Sequence, residues 1–220
     1  MKFPFLASVV IFLLVLHHNL RKGTKIGKKQ EDSFWKKEQE ANTTRKQPMN
    51  DLVFISFSAE EFFPLSLLPA DKVSEFISAY PQVKAILPRF LQLSEAKIVD
   101  LSCYTNTDLK FKYGVANFNL LSEYDENYIS LVSLLQQYGH CLFEAGYADA
   151  ALRVLTYAIS IGSDVTETYL LAIQLLQQAN DKDALNEVLQ KASSLPAKRS
   201  SVIFRKLKGS GLSVDLPHSV

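Results

Sequence analysis

This chain is short of the residues that carry chemistry. Only two of its 220 residues are cysteine and four are histidine. Cys103 and Cys141 are too few and too widely spaced for a zinc framework, and cysteine this sparse suits a reducing compartment. His17 and His18 are neighbours whose side chains diverge on a helix. His218 stands near the end, and His140 is isolated in a helical stretch. The eight glycines form no phosphate-cradling loop, and neither an HExxH pair nor a nucleophile elbow occurs. Glu60–Glu61 and Asp125–Glu126 are adjacent pairs, so their carboxylates point apart instead of flanking one bond. The expectation is a non-enzymatic protein with no catalytic residue, no cofactor and no metal site.

Charge of one sign is lacking only on average. The formal net charge is +1, yet Arg21 to Lys46 hold nine bases and four acids while the chain from Asp51 onward holds 14 bases and 19 acids. Long hydrophobic runs are missing as well, with one exception at the start. Residues 3–16, FPFLASVVIFLLVL, are almost pure hydrocarbon, and the run extends through His17, His18 and Asn19 to Leu20. Those 18 residues reach roughly 27 Å as a helix, enough for a thin bilayer. A cleaved signal peptide is the competing reading, but HHNLRKGTK offers no small-residue cleavage site. Residues 1–20 are therefore expected to be a single transmembrane anchor. Arg21, Lys22, Lys25, Lys28 and Lys29 follow it, which places the rest of the chain in the cytoplasm by the positive-inside rule. The same bases serve equally as topogenic charge or as a contact to anionic lipid headgroups. Residues 21–50 form a basic polar linker in which Phe34 and Trp35, on a short helical stretch, EDSFWKKEQEA, are placed to dip into the membrane interface.

The clearest pattern lies at 131–196. Leu131, Leu134, Leu135, Tyr138, Cys141, Leu142 and Ala145 keep the three-and-four spacing of one helix face, and Gly146 ends the run. A second run, Tyr147 to Ile161, closes at Gly162. A third covers Tyr169 to Ala179, with Asp164 and Glu167 placed as a capping box. Asn180–Asp181 make the next turn, and a fourth run from Ala184 to Leu195 stops at Pro196. Four helices of about 14 to 17 residues on short turns predict antiparallel hairpins. Sliding the sequence by 33 residues puts Gly139 on Ala172, Ala151 on Ala184, Leu155 on Val188 and Ser163 on Pro196. Small residues recur where helices must approach, and a large apolar residue recurs one turn later.

That pattern resembles the tetratricopeptide (TPR) repeat. In the family a small residue sits mid-way along the first helix of each repeat, here Gly139 and Ala172. An alanine opens the second helix, here Ala151 and Ala184, and a proline often closes the repeat, as at Pro196. The departures are the absence of an opening tryptophan and Ser163 in place of the first proline. The resemblance covers about 66 of 220 residues. It implies an α-α superhelix in which the first helix of each hairpin lines a concave surface. That would present Gln136, His140, Phe143, Leu170, Ile173 and Gln177 to a protein or peptide partner.

Two stacked repeats need helices on both sides to complete a core. Residues 51–130 are expected to form an irregular, aromatic-rich helical cap. DLVFISFS alternates like one extended segment with Val53, Ile55 and Phe57 on one side, and prolines frame helices at about 71–80 and 82–93. This segment, 52–63, either covers the repeat groove or leaves it open. Within residues 102–128 a short helix capped by Asn106 or Thr107 is expected to end at Gly114, with a longer helix starting after Asn119 or Ser122. Residues 197–220 are read as a basic capping helix and tail. Its five bases in KRSSVIFRKLK are a weak footprint for nucleic acid, so no nucleic-acid partner is expected. The whole reads as an all-α, single-pass membrane protein presenting a cytoplasmic TPR-like adaptor. The alternative is an extracytoplasmic repeat domain that assists secretion or cell-envelope assembly.

Overall fold

The computed structural model describes residues 28–209, and among them every regular element is helical. The helices are α1 (28–41), α2 (Pro64–Leu67), α3 (Ala70–Ala79), α4 (Pro81–Ser94) and α5 (Asn106–Tyr113). They continue with α6 (Val115–Glu144), α7 (Ala148–Ser160), α8 (Thr166–Ala179), α9 (Lys182–Ser194) and α10 (Ala197–Gly209), and one 3-10 turn covers Ala59–Phe62. No described helix is long and apolar enough to cross a membrane. The anchor expected over 1–20, with His17, His18, Arg21, Lys22 and Lys25, lies outside the described residues, as does the tail after Gly209.

The described residues divide into two compact units, 28–50 with 103–121, and 51–102 with 122–209. In the first, α1 is fastened to α5. Glu38 accepts a hydrogen bond from the Thr107 hydroxyl at 2.7 Å and pairs with Lys110, whose ammonium also lies 5.2 Å from the Phe118 ring centre. Residues 44–47 then run along the turn between α5 and α6. The Gln47 amide donates to the Tyr113 carbonyl, and the Val115 amide to Thr44. Asn117 is buried, and its side-chain amide donates to the carbonyls of Gln47 and Tyr113, both at 2.8 Å. Gly114 sits at φ 83°, where a side chain is strained, and a Cβ there would run into the Arg45 carbonyl. The backbone strap at 44–47 therefore requires a glycine at this turn.

Two expectations about this stretch are corrected. The cap of α5 is Thr105, not Asn106 or Thr107: its hydroxyl accepts from the Asp108 amide while the Asp108 carboxylate accepts from the Thr105 amide. A helix also runs unbroken for 30 residues from Val115 instead of starting after Asn119 or Ser122, so the boundary drawn at 131 falls inside α6.

In the second unit, α7, α8 and α9 stack in succession, and α10 packs on α8 and α9 through the buried Ile203 and Leu207. Asn180 closes α8 in the left-handed conformation, and the Asp181 carboxylate caps α9 by accepting from the Ala184 amide at 3.0 Å. The capping box expected at Asp164–Glu167 does not form. Helix α8 starts one residue later behind Val165, and the Asp164 carboxylate pairs with Arg199 at 3.1 Å. Glu167 is taken by Lys206, which donates at 2.7 Å and holds the carboxyl below its ordinary pKa.

Helix α6 meets α7 closely. Gly139 is buried, and a Cβ placed on it would lie 2.8 Å from Leu155 Cδ2 and 2.9 Å from Leu155 Cγ. Ala151, Ala158, Ala172 and Ala192 are all fully buried, so small side chains sit at the helix contacts throughout. On the other side of α6 the aromatic cap closes the core. Tyr138 is flanked by Phe76 of α3 and Phe90 of α4 at ring separations of 6.2 and 5.7 Å. Phe57 and Phe62 stack on each other at 5.6 Å and against Tyr157 of α7, whose hydroxyl donates to the Ser56 carbonyl. The alternation of DLVFISFS holds for Ile55, whose amide donates to the Ile98 carbonyl, and for the buried Phe57. Val53 breaks it by standing in solvent.

Candidate partner-binding site

Gln136, His140 and Phe143 project from α6, and Leu170, Ile173 and Gln177 from α8. The structure brings only the first two together at an opening. Gln136 and His140, with Gln137, Cys141 and Gln82 of α4, line a recess of about 240 Å³. Phe143 and Leu170 are half-buried against the hydrophobic core, and Gln177 is half-buried. Ile173 is fully enclosed in the core. It is corrected from a partner contact to a packing residue, because it has no exposed surface and α8 is packed against α7, α9 and α10.

Gln82 and Gln137 were not singled out from the sequence. Gln82 follows Pro81, the first residue of α4, and its amide Nε2 donates to the Cys141 Sγ at 3.2 Å. This bond seats α4 at the rim of the recess. The extended segment 52–63 engages Tyr157, Phe90 and Ile98 instead. The element bordering the recess is therefore α4, and the recess stays open.

Its chemistry is that of neutral amides. Three glutamines each offer a carbonyl acceptor and two N–H donors, the groups that pair with a peptide backbone. His140 Nδ1 lies 3.5 Å from Glu144 Oε2, one helical turn on, and both side chains are about half exposed. Burial pushes the Cys141 thiol up, partly offset by the Gln82 hydrogen bond. That direction is opposite to what a nucleophilic thiolate needs, so Cys141 is a packed, neutral thiol despite having a histidine beside it.

A second hollow, about 210 Å³, is lined wholly by apolar side chains: Phe63, Pro64, Leu65, Val73, Ile77 and Leu87. Among the described residues no three His, Cys, Asp or Glu side chains are grouped to hold a metal. Comparison of the chain with protein-family models, with characterised proteins and with solved structures finds no match.

Proposed function

We propose that the chain is a single-pass, membrane-anchored, TPR-like scaffold, non-enzymatic, that holds a protein or peptide partner at the cytoplasmic face of the membrane. The apolar run 3–16 and the bases that follow it support the anchor and its orientation. The buried small residues at Gly139, Ala151 and Ala172, 33 residues apart in the first and last case, support two equivalent hairpins. The observation that carries the binding role is the open, amide-lined recess on α6, on the helix that would line the concave face of such a repeat.

Photo-reactive residues placed at Gln136 and at His140 in native membranes test the role, with Glu187 on the exposed side of α9 as control. A discrete adduct from the two recess positions and none from Glu187 is expected. Equal labelling from all three, or none from the recess, removes the binding site. Sidedness is read separately from Cys103, the exposed cysteine, since the buried Cys141 cannot report it. A membrane-impermeant thiol reagent is expected to leave Cys103 unmodified in intact cells, and rapid labelling there would place the domain outside.

A further inference from the structure

Helix α1 carries an aromatic pair that the described fold leaves in water. Phe34 and Trp35 meet edge to face at 5.5 Å and are 54% and 56% exposed, the most exposed phenylalanine and tryptophan rings among the described residues. The helix beneath them is fixed in place: Ala41 is fully buried and Glu38 is bonded to Thr107 and Lys110. The pair is therefore displayed from a docked helix.

Its surroundings are basic. The first unit has eight lysines and arginines against five acids among the described residues, four of the bases being Lys28, Lys29, Lys36 and Lys37 of α1. Glu31, Asp32 and Glu40 share that helix, but Glu38 and Asp108 are already engaged, by Lys110 and by the Thr105 cap. The second unit carries 12 bases against 17 acids over its described residues. An anionic surface attracts the first unit and repels the second. Chain length adds a further constraint. From Leu20 to Lys28 the backbone reaches at most about 29 Å, so an anchored residue 20 keeps α1 close to the bilayer.

Resting on the anchored reading above, we infer that α1 lies against an anionic lipid surface, with Phe34 and Trp35 in the headgroup–acyl boundary and the α1 lysines at phosphate level. Aromatic rings favour that boundary, and lysine stems let the ammonium groups stay hydrated there.

Trp35 is the only tryptophan in the chain, so its fluorescence reports this position without mutation. The full chain is reconstituted into phosphatidylcholine/phosphatidylglycerol vesicles, with and without lipids brominated on the acyl chains, and isolated by flotation. The inference expects Trp35 emission to be quenched by the brominated chains and several-fold protected from aqueous iodide. Reversing Lys28, Lys29, Lys36 and Lys37 to Glu should restore iodide access while the protein still floats. Flotation with Trp35 open to iodide and untouched by brominated lipid overturns the inference and leaves the anchor standing. Shielding from iodide without brominated-lipid quenching means a protein contact covers the pair, and also overturns it. Failure to float removes the anchored reading, and this inference with it.

Discussion

Replacing Gly139 by alanine sets two effects of opposite sign against each other. In the middle of α6 an alanine is the better helix former by ~1 kcal/mol. The new methyl, however, lands 2.8 Å from Cδ2 and 2.9 Å from Cγ of Leu155, which is itself fully buried, so that side chain must shift within the core. Forcing a methyl into a closed core costs about 1–3 kcal/mol. The balance is a net loss of roughly 0–2 kcal/mol, too ambiguous to interpret alone. The Leu155→Ala background separates the two terms. That variant removes the atoms that clash, at a cost of about 2–5 kcal/mol on its own. Gly139→Ala placed on top of it should then be stabilising by the helix-propensity term. The cycle, run as urea titrations of the full chain in mild detergent and followed by helical circular dichroism, should give a coupling of about 1–3 kcal/mol. A coupling near zero, with Gly139→Ala stabilising by the same amount in both backgrounds, would refute the close approach of α6 and α7.

Gly114→Ala combines a positive φ with a backbone collision at Arg45 and should cost roughly 2–4 kcal/mol. Faster hydrogen exchange in α5 would report it, and unchanged exchange would count against the strap at 44–47. The hydroxyls of Tyr138 and Thr168 are buried without a hydrogen-bond partner among the described residues. Tyr138→Phe and Thr168→Val should therefore each raise stability by about 1 kcal/mol in thermal unfolding. Lys110, then Thr107, hold the Glu38 carboxyl below its ordinary pKa by hydrogen bonding. A lowered folded pKa contributes stability that is complete above the unfolded value, about 4.3, and is lost as pH falls through the folded one. Lys110→Met should flatten that acid limb in urea titrations across pH, and an unaltered limb would assign it elsewhere.

Helices α7, α8 and α9 were legible because each buries one stripe against neighbours on regular spacing and ends at a stop signal, Gly162, Asn180 and Pro196 in turn. Helices α3 and α4 were legible because Pro69 and Pro81 precede or open them. The first half of α6 was not, because its polar residues are satisfied by distant chain. Buried Asn117 looks like a loop residue until the carbonyls of Gln47 and Tyr113 stand beside its amide. Asp164 failed as a cap for a related reason. Its partner Arg199 lies on α10, and local sequence carries no trace of that ion pair. Gln136 and His140 line the recess, and the reading that named them rests on the repeat resemblance. Gln82 enters only because α4 docks against Cys141. Ile173 was misread because the geometry of an open superhelix was applied to a face that the packed core closes.

The claim on which the scaffold reading rests is that two hairpins, 33 residues apart, pack in the same way. Disulfide trapping tests it in a Cys103→Ser, Cys141→Ala background. One variant carries Gly139→Cys with Leu155→Cys, the other Ala172→Cys with Val188→Cys, which are the same two positions one interval later. Equivalent packing predicts that both pairs oxidise readily in the folded chain. Trapping of the first pair alone would leave a helical stack with no repeat in it, and trapping of neither would contradict the hairpin geometry itself.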